Sequence, residues 1–210
     1  MNFHDVEQNS DEWYELRAGR FTSSNMPKVM AVFGKAFSVP AKQYAVRIAV
    51  EQLTKKPLVN NYYNEHMERG HLQEPIARRL YEEQTFCDVS NGGFFCSDFI
   101  GCSPDGLVYE EGVIEIKSVL AHIHFANIKR GTIDPAYRWQ CIGNLKFTGR
   151  KWLDFVSYCA DFPPEKQLYR SRIYAVHAWQ AFEMIDERLA LFEKLVVKFK
   201  KTIKDSLYFT

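Results

Sequence analysis

Residues 103–117, Ser103-Pro104-Asp105-Gly106-Leu107-Val108-Tyr109-Glu110-Glu111-Gly112-Val113-Ile114-Glu115-Ile116-Lys117, decide the fold. Glu110-Glu111-Gly112 stands between two apolar runs and reads as a hairpin turn. Side chains alternate along a strand, so Glu115 and Lys117 share one face and Ile114 and Ile116 pack into the core from the other. An acid and an amine set among apolar residues are costly unless they are paired or bind something. A hairpin also returns its first residues beside its last ones, which brings Asp105 back toward Glu115 and Lys117.

Two carboxylates, Asp105 and Glu115, supply the hard oxygens that Mg²⁺ binds, and the Ile116 backbone carbonyl is a candidate third ligand. A neighbouring lysine can orient an attacking water or stabilise charge on a phosphoryl oxygen. The metal would lower the pKa of the water, and two ions ~3.5–4 Å apart would clamp the attacking and leaving oxygens. The spacing Asp-x₉-Glu-x-Lys is common, however. A turn aspartate followed by an exposed Glu–Lys pair on an edge strand remains open at this point.

The 210 residues can bury a full core, and the expected organisation is a single domain over 1–210. Lys and Arg number 27 against 26 Asp and Glu, a balance that neither demands nor forbids a nucleic-acid partner. The cysteines (Cys87, Cys96, Cys102, Cys141, Cys159) are odd in number and never spaced Cys-x-x-Cys. That argues against a zinc or iron–sulfur site and a disulfide framework, leaving reduced, mostly buried thiols. The polar, acidic N-terminus has no apolar signal core, and no apolar run nears the ~18 residues of a membrane span. A soluble cytosolic protein is expected.

Along the chain, Asn9 or Ser10 can cap a helix carrying Trp13 and Leu16, with Glu12 completing a capping box if Asn9 is the cap. Thr22-Ser23 and Ser38 before Pro40 mark further helix starts. Residues 62–83 read as helical, with a break or kink at Gly70 and Pro75. The texture turns β-rich over 93–119. Asp134-Pro135 opens a helix that Gly149 closes. Strands are expected at 152–159 and 168–176, then a helix striped by Trp179, Phe182, Ile185, Leu189, Phe192, Val196 and Phe199. The order implies α/β architecture: a mixed central β-sheet flanked by helices on both faces.

The run Ser103-Pro104-Asp105-Gly106 … Glu115-Ile116-Lys117 resembles the signature of the PD-(D/E)xK nucleases, whose core is restriction-endonuclease-like. The wider chain resembles one branch of them, the phage lambda exonuclease family of viral recombination nucleases. Trp13-Tyr14-Glu15-Leu16-Arg17-Ala18-Gly19 with Thr22-Ser23-Ser24 is similar to that family's N-terminal W-x-x-L-R-x-G…T-x-S motif. Gly70-His71-Leu72-Gln73-Glu74 is similar to its helical G-x-x-x-E, and Ala136-Tyr137-Arg138-Trp139-Gln140 to its Y-x-x-Q helix. Arg20 departs from the pattern, standing where an apolar residue is usual. The loop after Lys117 carries few family residues, though its Lys129-Arg130 pair is a candidate for contact with the DNA backbone.

The resemblance implies a 5′→3′ exonuclease that acts on linear double-stranded DNA and leaves a 3′ overhang. Asp105, Glu115 and Glu74 would hold Mg²⁺, with Mn²⁺ able to substitute and two ions per site. Lys117 would be the catalytic lysine. Arg17, Ser24, Ser103 and Gln140 would line a pocket for the terminal 5′ phosphate or reacting strand, donors suited to phosphate. Met67 would be a strand-separating wedge. A homotrimer, a single-strand annealing protein as partner and a phage or prophage origin in a bacterial cytosol are likewise implied. The alternatives are a sequence-specific endonuclease of the same fold and a non-catalytic DNA-binding module. Among the histidines, His66, His71, His122 and His124 lack metal-ligand spacing, and His122-x-His124 is expected to face solvent or DNA.

Overall fold

The computed structural model describes residues 1–58 and 65–206, with side chains described from Glu68 onward in the second stretch. The chain opens with strand β1 (Asn2–His4), helix α1 (Asp11–Arg17) and strand β2 (Phe21–Thr22). Three helices follow: α2 (Met26–Met30), α3 (Val39–Thr54) and α4 (Glu65–Thr85). Five strands come next: β3 (Val89–Ser90), β4 (Phe94–Cys96), β5 (Ile100–Cys102), β6 (Gly106–Val108) and β7 (Gly112–Ser118). Helices α5 (Ala121–Arg130) and α6 (Pro135–Thr148), strands β8 (Trp152–Tyr158) and β9 (Leu168–Tyr174) and helix α7 (Trp179–Asp205) complete it.

Local chemistry sets most of these boundaries. The Ser10 hydroxyl accepts from Trp13 N–H at 3.2 Å, so Ser10 rather than Asn9 caps α1. Ser38 caps α3 and Asp134 caps α6, each followed by a proline in the first turn. Gly149 closes α6 at φ +67°, a left-handed conformation that a side chain would strain. Of the expected break or kink at Gly70 and Pro75, a break is absent, and α4 runs through both. Burial of Ala77 and Tyr81 against the sheet holds this helix through its local weakness.

The main sheet has the order β3-β6-β7-β8-β9, with β7 parallel to β8 and the other pairs antiparallel. It is the mixed sheet the pattern predicts. The hairpin turn lies one residue earlier than its sequence suggests, at Tyr109–Glu111. Gly112 belongs to β7, where a Cβ would sit 2.2 Å from the Trp152 ring. A second sheet, β1-β4-β5-β2, was not legible in the sequence. Its β1 and β2 are two or three residues long, too short to carry a period.

The two faces of the main sheet pack against different helices. Ile114, Ile116, Val156 and Tyr158 meet Ala77 and Tyr81 of α4. Val113, Leu153 and Phe155 join a larger core with Ile142 and Leu145 of α6 and Ile185, Leu189, Phe192 and Val196 of α7. Of the stripe read on α7, only Trp179 stands exposed. Arg188, buried on the same face, donates to the carbonyls of Val29 and Lys35 at 2.9 and 2.8 Å and ties α7 to the end of α2. Among the described residues no helix is long and apolar enough to cross a membrane.

His122 is exposed, but His124 is not: it is fully buried, contrary to the expectation of a solvent- or DNA-facing pair. Two positions along α5 rotate a side chain by about 200°, onto the opposite face. The ring of His124 lies 2.9 Å from both Ser157 Oγ and the Lys166 carbonyl, and Asn127 Nδ2 donates to the same Ser157 oxygen. Because a carbonyl only accepts, Nε2 carries the proton that faces Lys166, while Nδ1 meets a hydroxyl that can donate or accept. Burial lowers its pKa, with the Lys166 carbonyl opposing in part. The folded pKa is therefore below the unfolded value of about 6.5, so the contribution of His124 is full above that pH. It is lost as pH falls through the folded pKa. Melting temperatures of wild type and His124→Gln between pH 7.5 and 5 should show the wild type losing more stability on acidification; parallel curves would count against it.

Candidate active site

Glu115 sits in the middle of β7 with no exposed surface. Its carboxylate accepts from Gln140 Nε2 at 2.5 Å on Oε1 and from Asn144 Nδ2 at 2.6 Å on Oε2. Both donors come from α6, one helical turn apart, on the side of the sheet that α6 covers. Lys117, two residues along the same strand face, places Nζ 2.5 Å from Glu115 Oε1. The same-face geometry expected from the alternation is thus present, and the pair is not an exposed edge-strand pair.

Asp105 arrives from the other strand of the hairpin, at the point where β6 has not yet begun. Its N–H donates to the Ile114 carbonyl at 3.1 Å, and its Oδ2 accepts from Ile116 N–H at 2.6 Å. In an antiparallel pair the N–H and C=O of one residue point to the same side. The Ile116 carbonyl is therefore directed toward the edge that Asp105 occupies. Ahead of it, Gly92 lets the chain pass against Pro104, whose oxygen a Cβ there would meet at 1.8 Å.

Glu74 enters from α4, on the opposite face. It pairs with Arg78 at 3.3 Å, and Arg78 also donates to the Asp105 backbone carbonyl. Arg78 thus bridges the helix and the start of the hairpin, a role no sequence motif suggested. Asp105, Glu74, Ile116, Lys117 and Tyr137 line one cavity of about 570 Å³.

Electrostatics bind these groups together. Burial raises the Glu115 pKa, Asp105 raises it further, and Lys117 opposes both. Burial likewise raises Glu74, followed by repulsion from Asp105, with Arg78 pulling down. Burial disfavours the Lys117 charge, but Glu115 and Asp105 outweigh it and hold the ammonium above the ordinary lysine range. Lys117 is thus a fixed cation rather than a proton acceptor. Among the described residues no three His, Cys, Asp or Glu side chains form a ready-made metal cluster. Glu74 feels the other two carboxylates without closing a triad with them. The donor types at the hairpin still suit a hard divalent ion: the Asp105 and Glu115 carboxylates and the Ile116 carbonyl are hard oxygens, and a cation would relieve the repulsion between the like charges.

A second cavity, about 240 Å³, opens on the N-terminal side and is lined by Arg17, Arg20, Arg47, Thr22 and Tyr44. Arg20 spends its guanidinium on the carbonyls of Leu16 and Ser97, so the residue that departs from the family pattern closes a turn. Arg47 pairs with Glu51 at 3.0 Å. Arg17 stacks over the Trp13 ring at 3.9 Å and, among the described residues, gives its guanidinium to no carboxylate or carbonyl. Burial lowers its pKa, with Tyr44 opposing in part. Ser24 is exposed beside this cavity, 3.2 Å from Thr22 Oγ1.

Two residues expected to line that pocket do something else. Ser103 accepts from Trp13 Nε1 at 2.9 Å and donates to the Gly93 carbonyl at 2.7 Å, so it fixes the ring that Arg17 rests on. Gln140 is turned to Glu115. The wedge expectation for Met67 concerns a side chain outside the described residues. Asn9 lines both cavities and sequence reasoning read it only as a cap; its positive φ of 67° is what turns the chain there. Lys129 and Arg130 close α5, with Arg130 held by Asn127 at 2.7 Å.

A mixed sheet with helices on both faces, and acidic residues and a lysine at the end of one central hairpin, defines a nuclease fold. The YqaJ-like viral recombinase domain matches residues 12–151, and the chain belongs to that family. Among solved structures it is similar to the alkaline exonuclease LHK-Exo from Laribacter hongkongensis, with TM-score 0.77 and 30% identity over 93% of this chain and 98% of that one. The same exonuclease in complex with dAMP matches at 0.77 and 32%, with coverage of 93% and 98%. A phage-related exonuclease from Haemophilus somnus 129PT shares the fold at TM-score 0.67 and 13% identity, covering 91% of this chain and 98% of that one. No curated protein matches the chain.

Proposed function

We propose that this protein is a divalent-metal-dependent exonuclease that digests one strand of linear double-stranded DNA from a 5′-phosphorylated end. Mononucleotides and a 3′ overhang would be the products. The observation that carries this reading is Glu115 and Lys117 side by side on one face of β7, with Asp105 bonded to the Ile116 N–H between them, beside a cavity that Asp105, Lys117 and Glu74 line. Membership of a viral recombinase family supports it, as does the complex of the similar alkaline exonuclease with dAMP, a mononucleotide.

Asp105, Glu115 and the Ile116 carbonyl would hold Mg²⁺ or Mn²⁺, with Glu74 contributing to a second ion. A bound ion supplies polarisation of the scissile phosphate and a lowered pKa for the attacking water. The chain's own residues do the rest. Gln140 and Asn144 fix the direction of the Glu115 carboxylate, and Arg78 holds Asp105 and Glu74 in mutual register. The Lys117 ammonium faces the cavity as a preorganised donor for a phosphoryl oxygen. Arg17, stacked on the Trp13 ring in that cavity, would take the terminal phosphate, with Ser24 and Thr22 at its edge. Ser103 enters through Trp13 rather than by contact.

By the same reading, residues 1–210 form one nuclease unit that assembles as a homotrimer around the duplex and passes its overhang to a single-strand annealing protein. It works in the cytosol of a bacterial host.

The test is linear duplex DNA, 5′-phosphorylated or 5′-hydroxyl, incubated with and without Mg²⁺ beside closed circular DNA. Expected are Mg²⁺-dependent shortening from 5′ ends, faster with the phosphate, and an intact circle. Cutting of the circle would favour an endonuclease, and loss from 3′ ends would overturn the polarity. Lys117→Ala and Asp105→Ala should abolish cleavage yet keep the fold and some DNA binding; cleavage by either variant would remove that residue from the mechanism. Arg78→Ala should weaken Mn²⁺ binding, measured by calorimetry on the free protein, by about 10–100-fold, as loss of a ligand's supporting partner does. Unchanged Mn²⁺ affinity would leave Arg78 only a structural role.

A further inference from the structure

A buried chain of hydrogen bonds runs from Glu115 to the turn that borders the Arg17 cavity. Asn144 donates through Nδ2 to Glu115 Oε2 at 2.6 Å, and its Oδ1 accepts from the Ser23 hydroxyl. The amide thus serves both partners at once, its nitrogen donating to Glu115 and its oxygen accepting from Ser23. Ser23 is 2% exposed, and Asn144 and Glu115 are fully buried, so no water competes for these bonds.

Ser23 belongs to the short turn Ser23–Asn25, which presents its opposite side to the Arg17 cavity. Thr22 and Asn25 line that cavity, and Thr22 Oγ1 bonds both Asn25 Nδ2 at 3.0 Å and Ser24 Oγ at 3.2 Å. A displacement of this turn therefore moves Ser23 with it. The approach of α6 is built for the contact: at Gly143, beside Asn144, a Cβ would lie 3.0 Å from Ser23 Cβ and 3.1 Å from Met26 Cε. Helix α6 reaches the turn this closely because residue 143 has no side chain.

We infer that Ser23 and Asn144 are positioning residues that couple the 5′-end pocket to Glu115, so that a phosphate seated at Arg17 sets the orientation of the catalytic carboxylate. The inference rests on the 5′-phosphate reading above and adds to it the route by which the end is sensed. A pocket that only bound the phosphate would lower KM for phosphorylated ends; a pocket connected to Glu115 also raises kcat for them. Neither residue touches DNA in this scheme. Asn144 acts on Glu115, and Ser23 acts on Asn144.

Two measurements on Ser23→Ala separate the possibilities, each with 5′-phosphorylated and 5′-hydroxyl duplex ends. In binding, read by fluorescence anisotropy with Ca²⁺ replacing Mg²⁺, the variant should keep the wild-type preference for phosphorylated ends, whereas Arg17→Ala should lose it. In turnover, Ser23→Ala should lower kcat about tenfold on phosphorylated ends, the scale of one lost hydrogen bond in a buried site, and about threefold or less on hydroxyl ends. In Arg17→Ala,Ser23→Ala the two effects on discrimination should be less than additive, since one interrupts what the other transmits.

An equal fall in kcat on both ends, or full additivity in the double variant, would overturn the coupling and leave Ser23 a packing residue. A wild type that distinguishes the two ends in neither binding nor kcat would instead bring down the 5′-phosphate reading, and the inference with it. Circular dichroism and melting temperature establish that the variants are folded. If Ser23→Ala does not fold, Ser23→Cys, which keeps a weaker donor, is expected to show the same changes in smaller measure; wild-type kinetics on both ends in that variant would count against the relay.

Discussion

The structure turns on burying the charge of Glu115. A carboxylate without exposed surface is tolerated only when its oxygens are met by donors, and three side chains supply them: Lys117 from the same strand, Gln140 and Asn144 from α6. Those donors dictate how α6 lies on the sheet. They also explain why residue 143 is glycine, because the helix that brings Asn144 to Glu115 must run against Ser23. Asp105 then adds a like charge at the same spot. Its carboxylate is held by the Ile116 N–H and its carbonyl by Arg78, so backbone and helix α4 together hold apart what repulsion would scatter.

The sheet acts as a partition with an open end. Helix α4 covers one face and brings Glu74 and Arg78; α6 covers the other and brings Gln140 and Asn144. Neither face alone holds the site, which forms where both helices reach past the start of β6. The cations are divided in the same way. Arg188 and Arg20 are used up on backbone carbonyls, Arg47 on Glu51, and Arg170 and Arg172 on the buried Asp154, with Tyr81 adding a fourth bond to that carboxylate. These are structural ties. Against them, Arg17 rests on the Trp13 ring in one cavity, and Lys117, paired with Glu115, lines the other.

Much of this was legible in the sequence. Helix starts at Ser38 and Asp134 and the closing glycine at 149 depend on neighbours one to four residues away, so short-range chemistry reveals them. The pairing of Glu115 with Lys117 follows from the two-residue period of a strand, and the return of Asp105 from the hairpin. The sequence misled where tertiary packing outweighed local preference. Helix α4 survives Gly70 and Pro75 because the sheet buries its far half, and Gly112 leaves the turn for the strand because a tryptophan ring needs its place. His124 looked like half of an exposed pair because an i, i+2 spacing says nothing about which side of a helix is covered.

By itself, then, the sequence determined the class of fold through the order of its elements, and the hairpin and the acid–acid–lysine set that carries the proposed chemistry through spacings within about a dozen residues. The tertiary structure decided what those groups touch. Gln140 and Ser103 share sequence motifs with pocket residues, yet one is turned to Glu115 and the other to Trp13. Arg78, Asn144 and Ser23 carry no motif of their own at all. Their partners lie 27 to 121 residues away, and a contact at that separation is set by how helices are laid on a sheet, which no local period encodes.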